Sequence, residues 1–209
     1  MSKTMAKSVA LVAALTVGLA AFAQAETIGK AIGYTKIGLP DAGEYKLFTM
    51  SFNNEDGSSP KLSEIFGDGT LYTSPASSLA DVVYLYIDGS YTGYYKKSDA
   101  LGFYEVGGSA ADPTIQAGQG FWVKGGNGNP GGNTIYVSGE AVASTGLDIG
   151  NGYQLIGNGV SKPTDLVSDI DWSQVPGVTA HPASSLADKI YVYSNGSYKG
   201  YYLKNGYVW

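Results

Sequence analysis

The phrase "PASSLADVVYLYIDGSYTGYYKK" begins at Pro75, and "PASSLADKIYVYSNGSYKGYYLK" begins at Pro182. The two are 107 residues apart and identical at 16 of 23 positions. A chain that writes one phrase twice at this spacing must build the same local structure twice. The centre of the phrase says what that structure is. Asp88-Gly89 in the first copy and Asn195-Gly196 in the second lie between runs of β-forming residues. Both dipeptides favour a two-residue type I′ turn, which needs positive φ at its two central positions. The residue changed between copies and the turn signal did not.

A two-residue turn sets register. Ile87 must pair with Ser90, Tyr86 with Tyr91, Leu85 with Thr92, Tyr84 with Gly93, and Val83 with Tyr94. One face of the hairpin then carries Tyr84, Tyr86, Tyr91 and Tyr95. The other carries Val83, Leu85, Thr92 and Tyr94. In the second copy the tyrosine face is Tyr191, Tyr193, Tyr198 and Tyr202, and Gly200 stands opposite Tyr191. The glycine in each "GYY" therefore sits across the ladder from a tyrosine, whose ring can cover the bare backbone.

The rest of the chain reads the same way. Thirty glycines and 17 tyrosines against 15% charged residues point to an all-β protein with Gly-rich turns. "YKLFTMSF" (45–52), "GFYEV", "GFWVKG" (120–125) and "NTIYVSGE" (133–140) read as strands. "SPKLSEIFGDG" (59–69) reads as a short helical turn capped by Ser63. "GGNGNPGG" (125–132) reads as a flexible hairpin connection or a small loop. "GYQLIGNGV" (152–160) matches "GEYKLFTMS", with Gly43 answered by Gly152 at a spacing of 109, and Tyr45 by Tyr153 and Leu47 by Leu155 at 108, so a small insertion or deletion lies between the copies.

The expected fold is thus a tandem repeat of a small Gly/Tyr-rich antiparallel sheet unit, a sandwich or a partly open barrel. The expected divisions are a signal peptide at 1–25, an N-terminal segment at 26–44, a first β unit at 45–145 and a partial second unit at 146–209. The second copy has no counterpart of "GFWVKG" or "NTIYVSGE" before Trp209. We expect either a truncated chain, the favoured option, or a last repeat completed by another strand. An open strand edge is a route to self-association.

The N-terminus "MSKTMAKSVALVAALTVGLAAFAQAE" has lysines at 3 and 7, an apolar run and Ala23-Gln24-Ala25. This is the pattern of a secretory signal cleaved after Ala25. The expected destination is secreted, periplasmic or cell-surface. The net charge of −5 becomes −7 once Lys3 and Lys7 are removed, and the chain has no arginine. A basic face for phosphate neutralisation is missing, so no nucleic-acid partner is expected. With no cysteine there is no disulfide framework and no thiolate site.

Little in the chain points to chemistry. His181 is the only histidine, its counterpart in the first copy is Ser74, and a triad or zinc site needs more partners than it has. "NNEDG" (53–57) alternates Asn53, Glu55 and Gly57 but puts Asp56 out of phase for a calcium loop. "GDG" (67–69) and "SDIDW" (168–172) offer no distinguishable acid pair. No catalytic residue, cofactor or metal is assigned. The tyrosine faces are the candidate site: Tyr84, Tyr86, Tyr91, Tyr95, Tyr191, Tyr193, Tyr198 and Tyr202 can stack on sugar rings. The competing reading is that these rings cover glycines or pack the two copies together.

At "AETIGKAIGYTKIGL", "LSEIFGDG", "ADVVYLYIDGSYTGYY" and "IQAGQGFWVKG" the chain resembles a family of secreted, duplicated β-rich proteins of Verrucomicrobia- and Lentisphaerae-type bacteria. The resemblance implies export and paired hairpin units, and it brings no known activity or catalytic residues. The expectation is an exported, non-enzymatic structural or interaction module of the cell surface, envelope or matrix. Its partners would be polysaccharide or other surface proteins. The alternative is a carbohydrate-binding module that uses the tyrosine faces.

Overall fold

A computed structural model describes residues 31–142, 152–157, 170–175, 177–194 and 196–205. The signal-peptide segment, Asn195 and residues 158–160 lie outside the described residues. All elements below belong to one unit, Ile32–Trp209. The fold is all-β, and its sheets are antiparallel and close no barrel.

The strands are β1 (Ile32–Gly38), β2 (Tyr45–Thr49), β3 (Phe52–Asn53), β4 (Val82–Ile87), β5 (Ser90–Ser98), β6 (Gly102–Glu105), β7 (Gly120–Lys124), β8 (Thr134–Ala141), β9 (Lys189–Ser194) and β10 (Ser197–Tyr202). They form a five-stranded sheet in the order β2-β7-β4-β5-β6, a three-stranded sheet β1-β8-β3, and the two-stranded hairpin β9-β10. One short helix, α1 (Leu62–Ile65), lies between β3 and β4.

Both hairpins have the expected register. Val83 pairs with Tyr94, Tyr84 with Gly93, Leu85 with Thr92, Tyr86 with Tyr91 and Ile87 with Ser90. In the second hairpin Tyr193 pairs with Tyr198, Val192 with Lys199, Tyr191 with Gly200 and Ile190 with Tyr201. The turn chemistry is as the dipeptide demands: Asp88 has φ 48° and Gly89 φ 83°, and Gly196 has φ 77°.

The correspondence extends into the loop before each hairpin. The amide of Ser74 donates to the Lys96 carbonyl, and that of His181 to the Leu203 carbonyl. The amide of Asp81 donates to the Tyr72 carbonyl, and that of Asp188 to the Thr179 carbonyl.

The main core lies between the two larger sheets. Val83, Leu85, Tyr94, Phe121 and Val123 face it from the five-stranded sheet, and Phe52, Ile135 and Val137 from the other. Leu62, Ile65 and Phe66 close one side of it. Strict alternation in "TIYVSGE" puts Ile135 and Val137 inward and Tyr136 and Ser138 outward, as a sheet with one wet face requires.

Two expectations need correction, and one strand was not foreseen. Ser63 does not cap α1. Lys61 is the cap residue, and the Glu64 carboxylate accepts its amide at 2.8 Å. The Ser63 hydroxyl instead donates to Asp112 at 2.6 Å. The cap residue therefore lies directly before the apolar Leu62 and uses an acid three positions on.

"GGNGNPGG" is a loop but not a hairpin connection. β7 and β8 lie in different sheets, so the loop is a crossover. It is packed as well: a Cβ on Gly126 would collide with the Leu79 carbonyl oxygen, and one on Gly128 would fall 2.6 Å from the Tyr72 ring. Finally, the N-terminal segment carries a strand not foreseen. β1 pairs with β8 along seven residues, from Ile32 opposite Glu140 to Gly38 opposite Thr134.

Candidate functional site

The five-stranded sheet has a second face, turned away from the main core. Register puts Tyr45 of β2, Trp122 of β7, Tyr84 and Tyr86 of β4, Tyr91 and Tyr95 of β5, and Tyr104 of β6 on it. Tyr95 is buried against Ala80 and Val82, with Tyr84 and Tyr104 alongside. Tyr84 and Tyr86 are half-buried, and Tyr91 is 50% exposed.

Tyr84 covers its cross-strand glycine. A Cβ on Gly93 would meet Tyr84 Cε1 at 2.9 Å, with Val82 and Val106 each at 3.1 Å. In the second hairpin a Cβ on Gly200 would meet Tyr191 Cε1 at 3.0 Å. Tyr86 and Tyr91, directly opposed, pack edge to face at 4.9 Å, and Tyr193 and Tyr198 repeat this at 5.0 Å. These are cross-strand pairs within the usual aromatic range.

The two tyrosine faces meet. Tyr193 packs edge to face on Trp122 with centroids 4.8 Å apart and planes at 84°. The Tyr198 hydroxyl lies beside the Tyr91 hydroxyl and the Trp122 indole N–H. Burial, and then the Tyr91 hydroxyl, pushes the Tyr198 phenol above its ordinary range. Burial also raises Tyr84, whose hydroxyl neighbours Tyr45, and it raises Tyr94 beside Glu105.

The opening of the second copy joins the same sheet. Gln119 and Ile156 form an antiparallel bridge, Gly120 N–H donates to the Leu155 carbonyl, and Gly157 N–H to that of Gly118. Of the remaining named tyrosines, Tyr191 is 45% exposed and touches Tyr153, and Tyr202 is half-buried beneath the Lys204 ammonium.

The polar residues weighed earlier have local work. His181 Nδ1 accepts the Ala183 amide at 3.0 Å, where Ser74 Oγ accepts the Ala76 amide in the first copy. Asp56 accepts the Ser58 amide and hydroxyl within a turn. Asp68 and Asp99 hold the ammonium of Lys96, a side chain only 3% exposed. That hydrogen bond lowers the Asp99 carboxyl below the usual range. Among the described residues no group of three His, Cys, Asp or Glu side chains is placed to hold a metal.

Sequence reasoning missed three features. Trp122 is the anchor of the aromatic face, while its neighbour Phe121 goes to the core. Asp81, fully buried, accepts the Tyr72 and Gly126 amides at 2.8 Å and the Asn129 side chain at 2.9 Å, and so organises the crossover loop. Tyr34 and Tyr136 stand 77% and 65% exposed on the outer face of β1 and β8. The period-two pattern of "TIYVSGE" was the signal that could have found Tyr136.

What fold and site define is an all-β protein in which the β9–β10 hairpin meets the five-stranded sheet through aromatic rings. Compared with protein-family models, curated proteins and solved structures, the chain matches none.

Proposed function

We propose that this chain is an exported, non-enzymatic structural or interaction module of the cell surface, envelope or matrix. One observation carries the reading: the aromatic face of the main sheet is occupied from within, by Tyr193 on Trp122. Rings spent on holding two parts of a chain together belong to the scaffold. The acidic, arginine-free composition supports the absence of a nucleic-acid partner. Tyrosines that cover glycines and one another on paired strands support a stability role.

The test has two arms. The chain expressed in a bacterial host and recovered outside the cytoplasm should begin at Glu26. Affinity electrophoresis on a glycan panel should show no retardation. Retardation lost in Tyr86→Ala at unchanged melting temperature would overturn the scaffold reading of the tyrosine faces.

A second reading, a carbohydrate-binding surface, has one specific observation in its favour. Tyr34 and Tyr136 are more exposed than any of the eight tyrosines named from the repeat, and Lys36 reaches over the Tyr136 ring at 6.0 Å. Exposed rings beside polar groups suit sugar stacking. Retardation lost in Tyr136→Ala and kept in Tyr86→Ala would favour this second reading.

A further inference from the structure

The two hairpins share a register and differ in what flanks them. β7 lies against β4, with Val82 opposite Lys124, Val83 opposite Val123, Tyr84 opposite Trp122 and Leu85 opposite Phe121. Val83 and Leu85 are fully buried, and Tyr94 is 7% exposed. Their counterparts are not: Val192 is 36% exposed, Tyr201 is 39% exposed and Ile190 is half-buried. Among the described residues β9 pairs only with β10, so the edge that β7 fills on β4 has no described partner on β9.

A second observation bears on the same edge. Tyr45 and Tyr84 reach each other from β2 and β4, with β7 between their strands, and their ring centroids are 6.3 Å apart. Tyr153 and Tyr191, their counterparts, are also 6.3 Å apart, with no described strand between them.

We infer that the outer edge of β9, with the apolar face formed by Ile190, Val192 and, from β10, Tyr201, is a docking site for one extended strand of β7 chemistry supplied by another polypeptide. The inference rests on reading the chain as an interaction module and names the kind of partner. Strand addition takes affinity from backbone hydrogen bonds and specificity from alternate side chains. By the β4–β7 register, an incoming Phe and Val would cover Val192 and Ile190. An incoming Trp would lie across from Tyr191. A second copy of this chain is a poor donor, because its β7 is already paired on both sides, by β2 and β4.

The edge also states a charge preference. Lys189 stands where Val82 stands in the first copy, and Val82 faces Lys124. The fifth residue of the incoming strand therefore faces a lysine and should be acidic. The expected occupant reads Gly-Phe-Trp-Val-Glu, not Gly-Phe-Trp-Val-Lys.

The test is fluorescence anisotropy on the full chain with labelled peptides spanning residues 117–126, in native form and as Lys124→Glu. Both should bind saturably, the Glu peptide about threefold tighter, in the range of a cross-strand charge pair. Val192→Asp should abolish uptake while far-UV circular dichroism stays unchanged. Lys189→Glu, at an exposed site, should reverse the peptide preference whether or not Val192→Asp folds. No saturable binding, or a preference that Lys189→Glu leaves unchanged, would overturn the proposal. So would a dimer seen by light scattering that takes up no peptide, since the edge would then belong to a second copy. None of these results bears on the glycan panel or on the N-terminus of the exported chain, so the two readings fail separately.

Discussion

The contact between Trp122 and Tyr193 can be weighed by a double-mutant cycle. Trp122 is 9% exposed, so Trp122→Ala forfeits nearly a full buried indole, about 3–5 kcal/mol. Tyr193 is half-buried, with Tyr198 beside it at 5.0 Å as well as Trp122. Tyr193→Ala should therefore cost less, about 1–3 kcal/mol. Their rings meet at 4.8 Å and 84°, within the edge-to-face geometry that contributes roughly 0.5–1.5 kcal/mol beyond area. The double variant should then be about 1 kcal/mol less destabilised than the sum of the singles. For a chain of this size, 1 kcal/mol moves the melting temperature by about 2–4 °C, so denaturant titration followed by far-UV circular dichroism is the better assay. The slope of free energy against denaturant must stay constant across the four proteins. Additivity within about 0.5 kcal/mol, the behaviour of independent sites, would refute the view that these rings hold the second hairpin to the sheet.

Other outcomes follow from comparing the copies. Gly93→Ala forces a methyl against three side chains and should cost about 1–3 kcal/mol, whereas Gly200→Ala meets only the Tyr191 ring on a wet strand and should cost below about 1 kcal/mol; paired thermal melts check this. Asp81→Ala strands three donors around a buried carboxylate and should cost about 3 kcal/mol, while Asp188→Ala, at an exposed acid that accepts the Thr179 amide, should change unfolding by less than about 1 kcal/mol. Tyr84, Tyr94 and Tyr198 have raised phenol values, so the folded chain keeps protons that the unfolded chain releases above about pH 10. Their contribution is whole below that pH and is lost as pH rises through the raised values; melts across the alkaline range should fall, and an ultraviolet phenolate titration should show late tyrosines that Tyr198→Phe reduces.

The hairpins were legible because turn chemistry is local. Asp88-Gly89 needs nothing distant to adopt positive φ, and register follows from it residue by residue. The pairing of β1 with β8 was not legible, because Ile32 and Glu140 meet across more than a hundred residues and nothing in "IGYTKIG" names its partner. The division of "GFWVK" was hidden for another reason. Both faces of β7 are covered, so its pattern does not alternate between polar and apolar, and only the neighbouring strands decide that Phe121 goes inward and Trp122 outward. Asp81 sits in plain view in "PASSLAD", yet the donors that make it matter come from Gly126 and Asn129, far along the chain. The eight tyrosines were correctly sorted to one face of each hairpin. How wet each ring is depends on where the second hairpin docks, which no local pattern encodes.

One phrase in two settings separates what it carries from what it borrows. Turn, register, glycine cover and the cross-strand tyrosine pair recur in both copies, so they belong to the phrase. Burial does not recur. Leu85 is fully buried, and its counterpart Val192 is 36% exposed. Lys96 and Leu203 occupy one position in the phrase, and both are sequestered, the lysine with two carboxylates and the leucine without charge. The position thus demands burial, and each copy meets that demand with different chemistry. The aromatic faces of the two hairpins share one aromatic cluster through Trp122, while their apolar faces differ in the strand and core beside them. In the first copy the chain supplies both. In the second, among the described residues, Trp122 is the aromatic partner, and Ile190, Val192 and Tyr201 stay partly wet. Among the described residues the second hairpin keeps its aromatic contact with the main sheet and leaves an apolar face on which a partner strand would add burial.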